Sequence, residues 1–288
     1  MSSTKIVAGI ILVIAVASAI ILHDIFPYLD SGFRYHKHEV LSFDNLYSVE
    51  RGGFMGNQLS KTIFSYGVVD EKDGILLVKS SFDVRTLADK PIFSVERVYG
   101  INSATGEHVP GYGDKDRQGY LFAPKNLKEG QPFTVWHINY DVPAHMEFKA
   151  KEKIEGITVY LYEANFQADQ TKELDALPDV PEKYGITLDV NLKYWVDPVT
   201  GQLITYEDHT NAYYYDIKTG QKVSPWNTFS NRMTLPMVKS HVAKAVVDKR
   251  KIFAVRYGIP ALIAMVGTVL IAASLAGKKP PLKRKSHK

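Results

Sequence analysis

The chain has 288 residues, of which 45% are hydrophobic and 23% are charged, a balance typical of a folded protein that excludes general disorder. It contains no cysteine, which excludes disulfides, thiolate metal sites and cysteine nucleophiles. The net charge of +4 arises at the chain ends, because residues 24–250 hold 26 of the 35 Lys/Arg and all 31 Asp/Glu and so carry −5, which argues against a nucleic-acid partner.

The first predicted element is an apolar segment of seventeen residues without charge, Ile6–Leu22. A helix of about 20 residues crosses the hydrocarbon core of a membrane. We therefore predict a short cytoplasmic N-terminus at 1–5 and a transmembrane helix over 6–23. A cleavable signal peptide is the alternative, since Ala17-Ser18-Ala19 has the A-x-A form. The apolar run continues past that site, which favours an uncleaved anchor.

Residues 24–250 show mainly a period of two, which is the strand signal. Segments such as "MEFKAKEKI" and "LDVNLKYW" alternate apolar with polar residues. Strands with one apolar and one polar face are typical of antiparallel sheets that meet solvent on one side. The expected fold is mainly β, with an antiparallel, curved sheet or partly closed barrel between N- and C-terminal transmembrane helices.

A six-residue pattern, Asn/Asp-x-x-Thr-Gly-Glu/Gln, begins at Asn102, Asp197 and Asp216. The first side chain can accept hydrogen bonds from the backbone two residues on, and glycine at the fifth position can take a positive φ. Calcium needs six to eight oxygen ligands, more than such a loop offers. The pattern therefore predicts three hairpin turns and no calcium site.

Two helical elements follow the β region. An amphipathic helix is predicted over 235–256, because Val238, Val242 and Val246 recur at helical spacing. It leads into a second predicted transmembrane helix over 257–277.

The tail 278–288, "KKPPLKRKSHK", contains six basic residues. Positive charge next to a membrane helix tends to remain in the cytoplasm. We therefore expect a two-pass protein of the cell membrane, with both termini cytoplasmic and residues 24–250 forming an extracytoplasmic domain.

Catalytic motifs are absent from the sequence, and we predict no catalytic residues, no metal site and no cofactor. The pair His36-x-His38 would place two imidazoles on one face of a strand, but a metal site needs further ligands. The spacing of the other histidines selects none as a third ligand.

Aromatic residues are the better candidates for binding. Tyr194, Trp195, Tyr206 and Tyr214 are the predicted lining of an apolar groove in the sheet. Packing in an ordinary core is the alternative for the same residues.

Four motifs resemble a known family: "YGINSATGE" from Tyr99, "WHINYDVPA" from Trp136, "EKIEGITVY" from Glu152 and "WVDPVTG" from Trp195. With the two terminal apolar segments, they are similar to actinobacterial and archaeal membrane proteins labelled as the porin PorA family. No activity is established for the extracytoplasmic domain of that family, so the resemblance implies no catalytic residues.

The expected function is that of a membrane-anchored, envelope-associated binding protein that holds a lipid or another apolar envelope component without turning it over. Its expected partners are membrane lipids and an apolar ligand or another envelope protein. An enzyme acting on an envelope lipid or polymer is one alternative. A structural or accessory subunit of a membrane complex is the other.

Overall fold

The computed structural model describes Val13, Val16, residues 35–171, Val180 and residues 182–276. Apart from Val13 and Val16, which are helical, the first predicted transmembrane helix lies outside the described residues, as does the basic tail. The chain divides into two compact units, one formed by Ser31–Val247 and the other by Met1–Asp30 with Asp248–Lys288.

Twelve strands build the larger unit. They are β1 (Tyr35–Ser48), β2 (Gly53–Phe54), β3 (Gln58–Lys72), β4 (Ile75–Thr86), β5 (Pro91–Asn102), β6 (His108–Gly113), β7 (Phe133–His137), β8 (Val142–Ile154), β9 (Ile157–Asp169), β10 (Tyr184–Val196), β11 (Leu203–Asp216) and β12 (Lys222–Met233). The strand order is β6-β5-β4-β3-β1-β12-β11-β10-β9-β8-β7, with β2 beside β1. Every pairing between these strands is antiparallel, so the predicted mainly β, antiparallel fold is confirmed.

The sheet is not closed into a barrel, which corrects that part of the prediction. Its end strands β6 and β7 do not pair with each other, because residues 119–121 lie between them. The backbone N–H of His108 in β6 donates to the Gly119 carbonyl over 2.8 Å, and that of Trp136 in β7 donates to the Tyr120 carbonyl over 2.9 Å. A short connecting segment thus satisfies backbone groups that an open sheet edge would leave unpaired.

The sheet is strongly curved around its buried face, which we call the inner face. Phe64 in β3 and Tyr206 in β11 are three strands apart, a distance of about 14 Å in a flat sheet. Their ring centroids are nevertheless 6.3 Å apart. The curvature therefore brings side chains of distant strands into one core.

Alternation along the strands supplies this core. In β10 every second side chain from Ile186 to Val196 is buried. Removing each Leu, Ile or Val side chain from water stabilises the fold by roughly 1.5–3 kcal/mol. The connections on either side of β7 add Leu121, Leu127 and Tyr140 to the same cluster, so chain outside the strands also fills the inner face.

The three predicted hairpin turns are confirmed. They join β5 to β6, β10 to β11 and β11 to β12, and their glycines Gly106, Gly201 and Gly220 have φ of 79°, 69° and 70°. In each turn the first side chain accepts two backbone N–H groups. For Asp197, these are the N–H groups of Val199 and Thr200, at 3.1 and 3.0 Å.

Two helices follow β12: α1 (Leu235–Phe253) and α2 (Ile259–Ala276), joined by a π-helical turn at Ala254–Gly258. The first part of α1 buries Val238, Val242 and Ala245 in the core of the larger unit, as its predicted amphipathic pattern requires. Within the described residues, Leu235–Val269 is the helical stretch that length and composition would allow to cross a membrane.

The turns differ in how closely backbone from elsewhere in the protein approaches their glycines. The same substitution should therefore lower the free energy of unfolding by different amounts. A Cβ at Gly201 would lie 2.6 Å from the carbonyl oxygen of Ala123, whereas one at Gly220 would have no atom within 4 Å. We expect Gly220→Ala to lower the free energy of unfolding by about 1 kcal/mol through its positive φ. Gly201→Ala should cost a further ~1–3 kcal/mol, since backbone must move.

Urea unfolding of the two variants in detergent solution measures this difference. Equal destabilisation by the two substitutions would contradict the close approach of backbone at Gly201.

Candidate functional site

A cavity of about 180 Å³ opens in the inner face where β1, β3, β4, β5 and β12 meet the residues that follow β7. Period-two alternation aims its wall residues inward. Its apolar lining is Phe82, Val84, Phe93, Val95, Tyr140, Leu188, Trp226 and Phe229. Its polar lining is Ser42, Asp44, Ser60, Thr62, Arg97, Asn139, Gln170, Asn227 and Asn231.

Aromatic rings form two parts of the cavity wall, one on β4 and β5 and the other on β12 with the chain after β7. Phe82 and Phe93, on the paired strands β4 and β5, meet edge to face with centroids 5.6 Å apart. Phe229 in β12 lies 6.2 Å from Tyr140, and Trp226 precedes it on the same strand. Rings of this kind bury large apolar areas and present electron-rich faces.

Strands β1 and β3, which lie between these rings in the sheet, carry hydrogen-bonded polar groups centred on Asp44, the cross-strand neighbour of Phe229. Its carboxylate accepts from Asn227 Nδ2 at 3.3 Å and from Ser60 Oγ at 3.4 Å. Ser42 and Thr62 join their hydroxyls at 3.0 Å beside it. Burial raises the pKa of Asp44, with the hydrogen bonds from Asn227 and Ser60 acting in the opposite direction.

A second carboxyl, Asp208 of β11, is fully buried close to these polar groups. Asn231, a wall residue, donates Nδ2 to both of its oxygens, at 2.9 and 3.1 Å. Burial raises the pKa of Asp208 to about 7, and the negative charge of Asp44 contributes to the rise. Neither carboxyl takes part in an ion pair within the described residues, so both lack a counter-charge.

Arg97 lies in the cavity wall, but its guanidinium contacts Asp141 and the Ile138 carbonyl. Its Nε is 3.4 Å from Asp141 Oδ2, and its Nη1 donates to the Ile138 carbonyl. Burial of Asp141 opposes ionisation. Hydrogen bonds from Lys115 and Trp136 and the charge of Arg97 outweigh burial, so that the pKa of Asp141 is lowered. This ion pair attaches the chain after β7 to β5.

A group of three buried histidines forms a separate cluster. His36 and His38 lie on one face of β1, as predicted. That face points inward, and His241 of α1 joins them, with ring centroids 5.4 Å (His36–His38), 5.1 Å (His36–His241) and 6.3 Å (His38–His241) apart. Each has at least one buried ring nitrogen without a hydrogen-bond partner. The structure, as far as it is described, contains no group of three or more side chains able to hold a metal ion. Burial lowers the pKa of all three histidines, so the rings pack in their neutral form.

Burial, followed by the charges of His241 and Lys244, lowers the pKa of His36 to about 3, which predicts acid sensitivity. An unfolded histidine titrates near 6.5, so the stability that neutral His36 contributes is present above pH 6.5 and is lost as the pH falls towards 3. Between pH 6.5 and 4.5 this amounts to about 2 kcal/mol. The raised pKa of Asp208 acts in the opposite sense below pH 7.

The test compares urea midpoints at pH 7 and pH 4.5 for wild type, His36→Phe and the control His145→Phe, whose histidine is exposed on β8. The wild type and the control should lose stability in parallel, and His36→Phe should lose about 2 kcal/mol less. An identical loss in all three proteins would refute a neutral, buried His36.

The four aromatic residues predicted to line a groove are not assembled into one. Tyr194 and Tyr206 pack together on the inner face with centroids 5.9 Å apart, and both are buried. Trp195 lies on the opposite face, where its Nε1 donates to Glu152 over 2.8 Å. Tyr214 is half-buried and contacts Trp226 at 6.4 Å. None of the four lines the 180 Å³ cavity, and their role in ligand binding stays a prediction.

Sequence reasoning missed the residues that do line the cavity, although a signal for them exists. Asn227 and Asn231 of β12 and Asp208 of β11 occupy inward positions, where alternation predicts apolar side chains. Polar residues at inward positions of neighbouring strands therefore mark the place. A larger concavity of about 460 Å³ involves Phe43, Glu207 and Arg232 on the outer face, and the buried polar residues Thr210 and Asn231 also line it.

A comparison with protein families agrees with the sequence motifs. The family model described as Porin PorA matches residues 86–276, about two thirds of the chain. The chain belongs to the porin PorA family. The predicted family is thereby confirmed, while the actinobacterial or archaeal source stays an expectation.

Other comparisons add little to this PorA-family assignment. No curated protein sequence matches the chain. A protein described as exported, with a YmcC-like fold, from Bacteroides fragilis NCTC 9343 is 11% identical over 68% of this chain and 93% of its own, with a TM-score of 0.29. A protein described as a thioesterase II from Thermobifida fusca YX is 9% identical over 68% and 79%, with a TM-score of 0.13. At these TM-scores neither likeness supports an inference.

Proposed function

We propose that this PorA-family protein is a membrane-anchored, envelope-associated binding protein, whose cavity holds a small polar or charged group of an amphipathic envelope component. The cavity itself carries the proposal, because it combines an aromatic wall with buried, hydrogen-bonded polar groups. A few fixed polar groups in a mainly apolar pocket are typical of ligand sites. The porin-family match and the apolar helical stretch Leu235–Val269 support association with a membrane.

The size of the cavity limits what it holds. Sites for whole ligands measure about 300–1,000 Å³, and this one measures about 180 Å³. It therefore suits one end of a molecule, whose apolar remainder would extend outside.

Binding fits the geometry better than turnover does. Asp208, with a pKa of about 7, has the titration of a general acid or base. However, it does not line the cavity, and Asn231 occupies both of its oxygens. A catalytic carboxyl would have to reach the substrate. An enzyme acting on an envelope lipid or polymer is therefore the second candidate, and Asp208 is the observation that favours it.

Conduction, which the word porin suggests, has less support. The inner face of the sheet is filled by rings such as Phe64, Tyr140 and Tyr206, all of them buried. Filling of this kind leaves no lumen among the described residues. The proposal is therefore that the sheet holds a ligand within its curve.

The proposal predicts that filling the cavity abolishes binding. The full-length protein, purified in a maltoside detergent from its own membranes, should carry a small molecule detectable by native mass spectrometry. Val95→Trp adds bulk to the cavity wall and should remove that molecule. Val69→Trp, at a position 60% exposed, is the matched control and should retain it.

The thermal midpoint of Val95→Trp should remain within a few degrees of wild type, since the cavity accepts the added ring. A wild-type protein that carries no small molecule, and takes up none from an extract of the same membranes, would contradict the proposal.

We also propose the two-pass topology, with residues 24–250 outside and both termini inside. Six basic residues in the tail 278–288 support it. Protease added to intact cells should digest the middle domain and leave N- and C-terminal tags protected. Digestion of the C-terminal tag would refute the orientation, and loss of the N-terminal tag before protease is added would show that the first segment is cleaved.

A further inference from the structure

The polar lining of the cavity includes groups that can accept hydrogen bonds from a ligand. Asp44 presents a carboxylate, and Asn139 has a buried Oδ1 without a hydrogen-bond partner. Asp208 lies behind Asn231 as a second carboxyl. A buried acceptor without a donor costs free energy, so this part of the cavity wall favours a ligand group that donates hydrogen bonds or carries positive charge.

Among the described wall residues, none forms an ion pair with Asp44 or Asp208. Arg97 is the basic residue among the wall residues, and its guanidinium is bonded to Asp141 and to the Ile138 carbonyl. The cavity thus has an uncompensated negative character. A cation bound in the cavity would be attracted to the Asp44 carboxylate, because charges inside a protein are screened less than in water.

The aromatic rings of the cavity wall also favour a positively charged ligand group. Phe82, Phe93, Trp226 and Phe229 all line the cavity. The faces of aromatic rings attract cations. Groups of such rings recognise quaternary and other alkylated ammonium ions. An inorganic cation would instead need a shell of oxygen ligands.

We propose that this cavity binds an organic ammonium group, with Asp44 as its charge partner and the rings of Phe93 and Phe229 against its alkyl substituents. The inference rests on the proposed function of the same cavity and specifies the chemical class of the group it holds. Quaternary and other alkylated ammonium groups match both the carboxylate and the rings of the wall, because they carry a positive charge and an apolar surface together.

A consequence of the proposal is that binding strengthens as the pH rises. A cation in the cavity stabilises the ionised form of Asp208, whose pKa burial and Asp44 raise to about 7. Binding therefore releases a proton below pH 7 and becomes independent of pH well above it. Tyr140, Tyr194 and Tyr206 face the same carboxyl, and burial raises their pKa values, so they stay neutral between pH 6 and pH 8.

Calorimetric titration of the full-length protein in a maltoside detergent tests the proposal with two probes of the same shape. Choline carries a trimethylammonium group, and 3,3-dimethyl-1-butanol is its neutral counterpart. At pH 8 choline should bind at least about tenfold more tightly, a difference expected when a cation meets a buried carboxylate. A comparison of choline with dihexanoylphosphatidylcholine distinguishes the source of the group, since tighter binding of the latter indicates a lipid headgroup and equal binding a free solute.

Three variants locate the interaction. Asp44→Asn should weaken choline binding by about tenfold, and Phe93→Leu by about threefold or more. Asp189→Asn removes an exposed outer-face carboxylate paired with Lys222 and should change nothing. Asp208→Asn should remove the increase in choline affinity between pH 6 and pH 8.

The outcomes separate the ammonium inference from the proposed binding role of the cavity. If the neutral alcohol binds as tightly as choline, and Val95→Trp abolishes both, the cavity is a binding site and the ammonium inference is wrong. If neither probe binds wild type, both the ammonium inference and the proposed role of the cavity are contradicted. The comparison of probes on wild type needs no variant, so misfolding of Asp44→Asn would not obscure the result.

Discussion

The buried carboxylate of Asp141 is the group on which the filled interior of the sheet depends. It accepts from Arg117 Nε at 3.1 Å and from Trp136 Nε1 at 2.6 Å, and Arg97 Nε lies 3.4 Å away. A buried charge is tolerated only when such partners surround it. These contacts fasten the chain after β7 to β5 and to the connection before β7, and that chain carries two cavity wall residues, Asn139 and Tyr140, directly before Asp141.

One physical cause underlies the titration of the whole interior. The curved sheet excludes water, and exclusion of water penalises charge of either sign. It lowers the pKa of His36 to about 3 and raises that of Asp208 to about 7. The histidine cluster consists of neutral, mutually packed rings, whereas Asp44 lines the cavity and Asp208 lies behind the wall residue Asn231. A ligand can bring compensating charge only to the carboxyls, which is why the two clusters are assigned different roles.

The sequence was informative where structure is local. The Thr-Gly turns follow from side chain–backbone bonds within a few residues, and alternation revealed the antiparallel strands. Two contacts could not be predicted in this way: His241 with His36, and Phe64 with Tyr206. They depend on sheet curvature and on contacts between elements distant in sequence, which no local pattern encodes. The groove predicted from Tyr194 and Trp195 has a different, local difficulty: the two residues are neighbours in sequence and therefore lie on opposite faces of β10.

The space between Phe93, Phe229 and Asp44 is the proposed ligand site of this membrane-associated protein. The most direct measurement is an experimental structure, at a resolution that shows ordered water, of the full-length protein purified from its own membranes. We expect non-protein density in the cavity, in contact with the Asp44 carboxylate and the aromatic rings, and continuing out of the cavity. A cavity that contains only water, or that is closed by the side chains of its own wall, would contradict it.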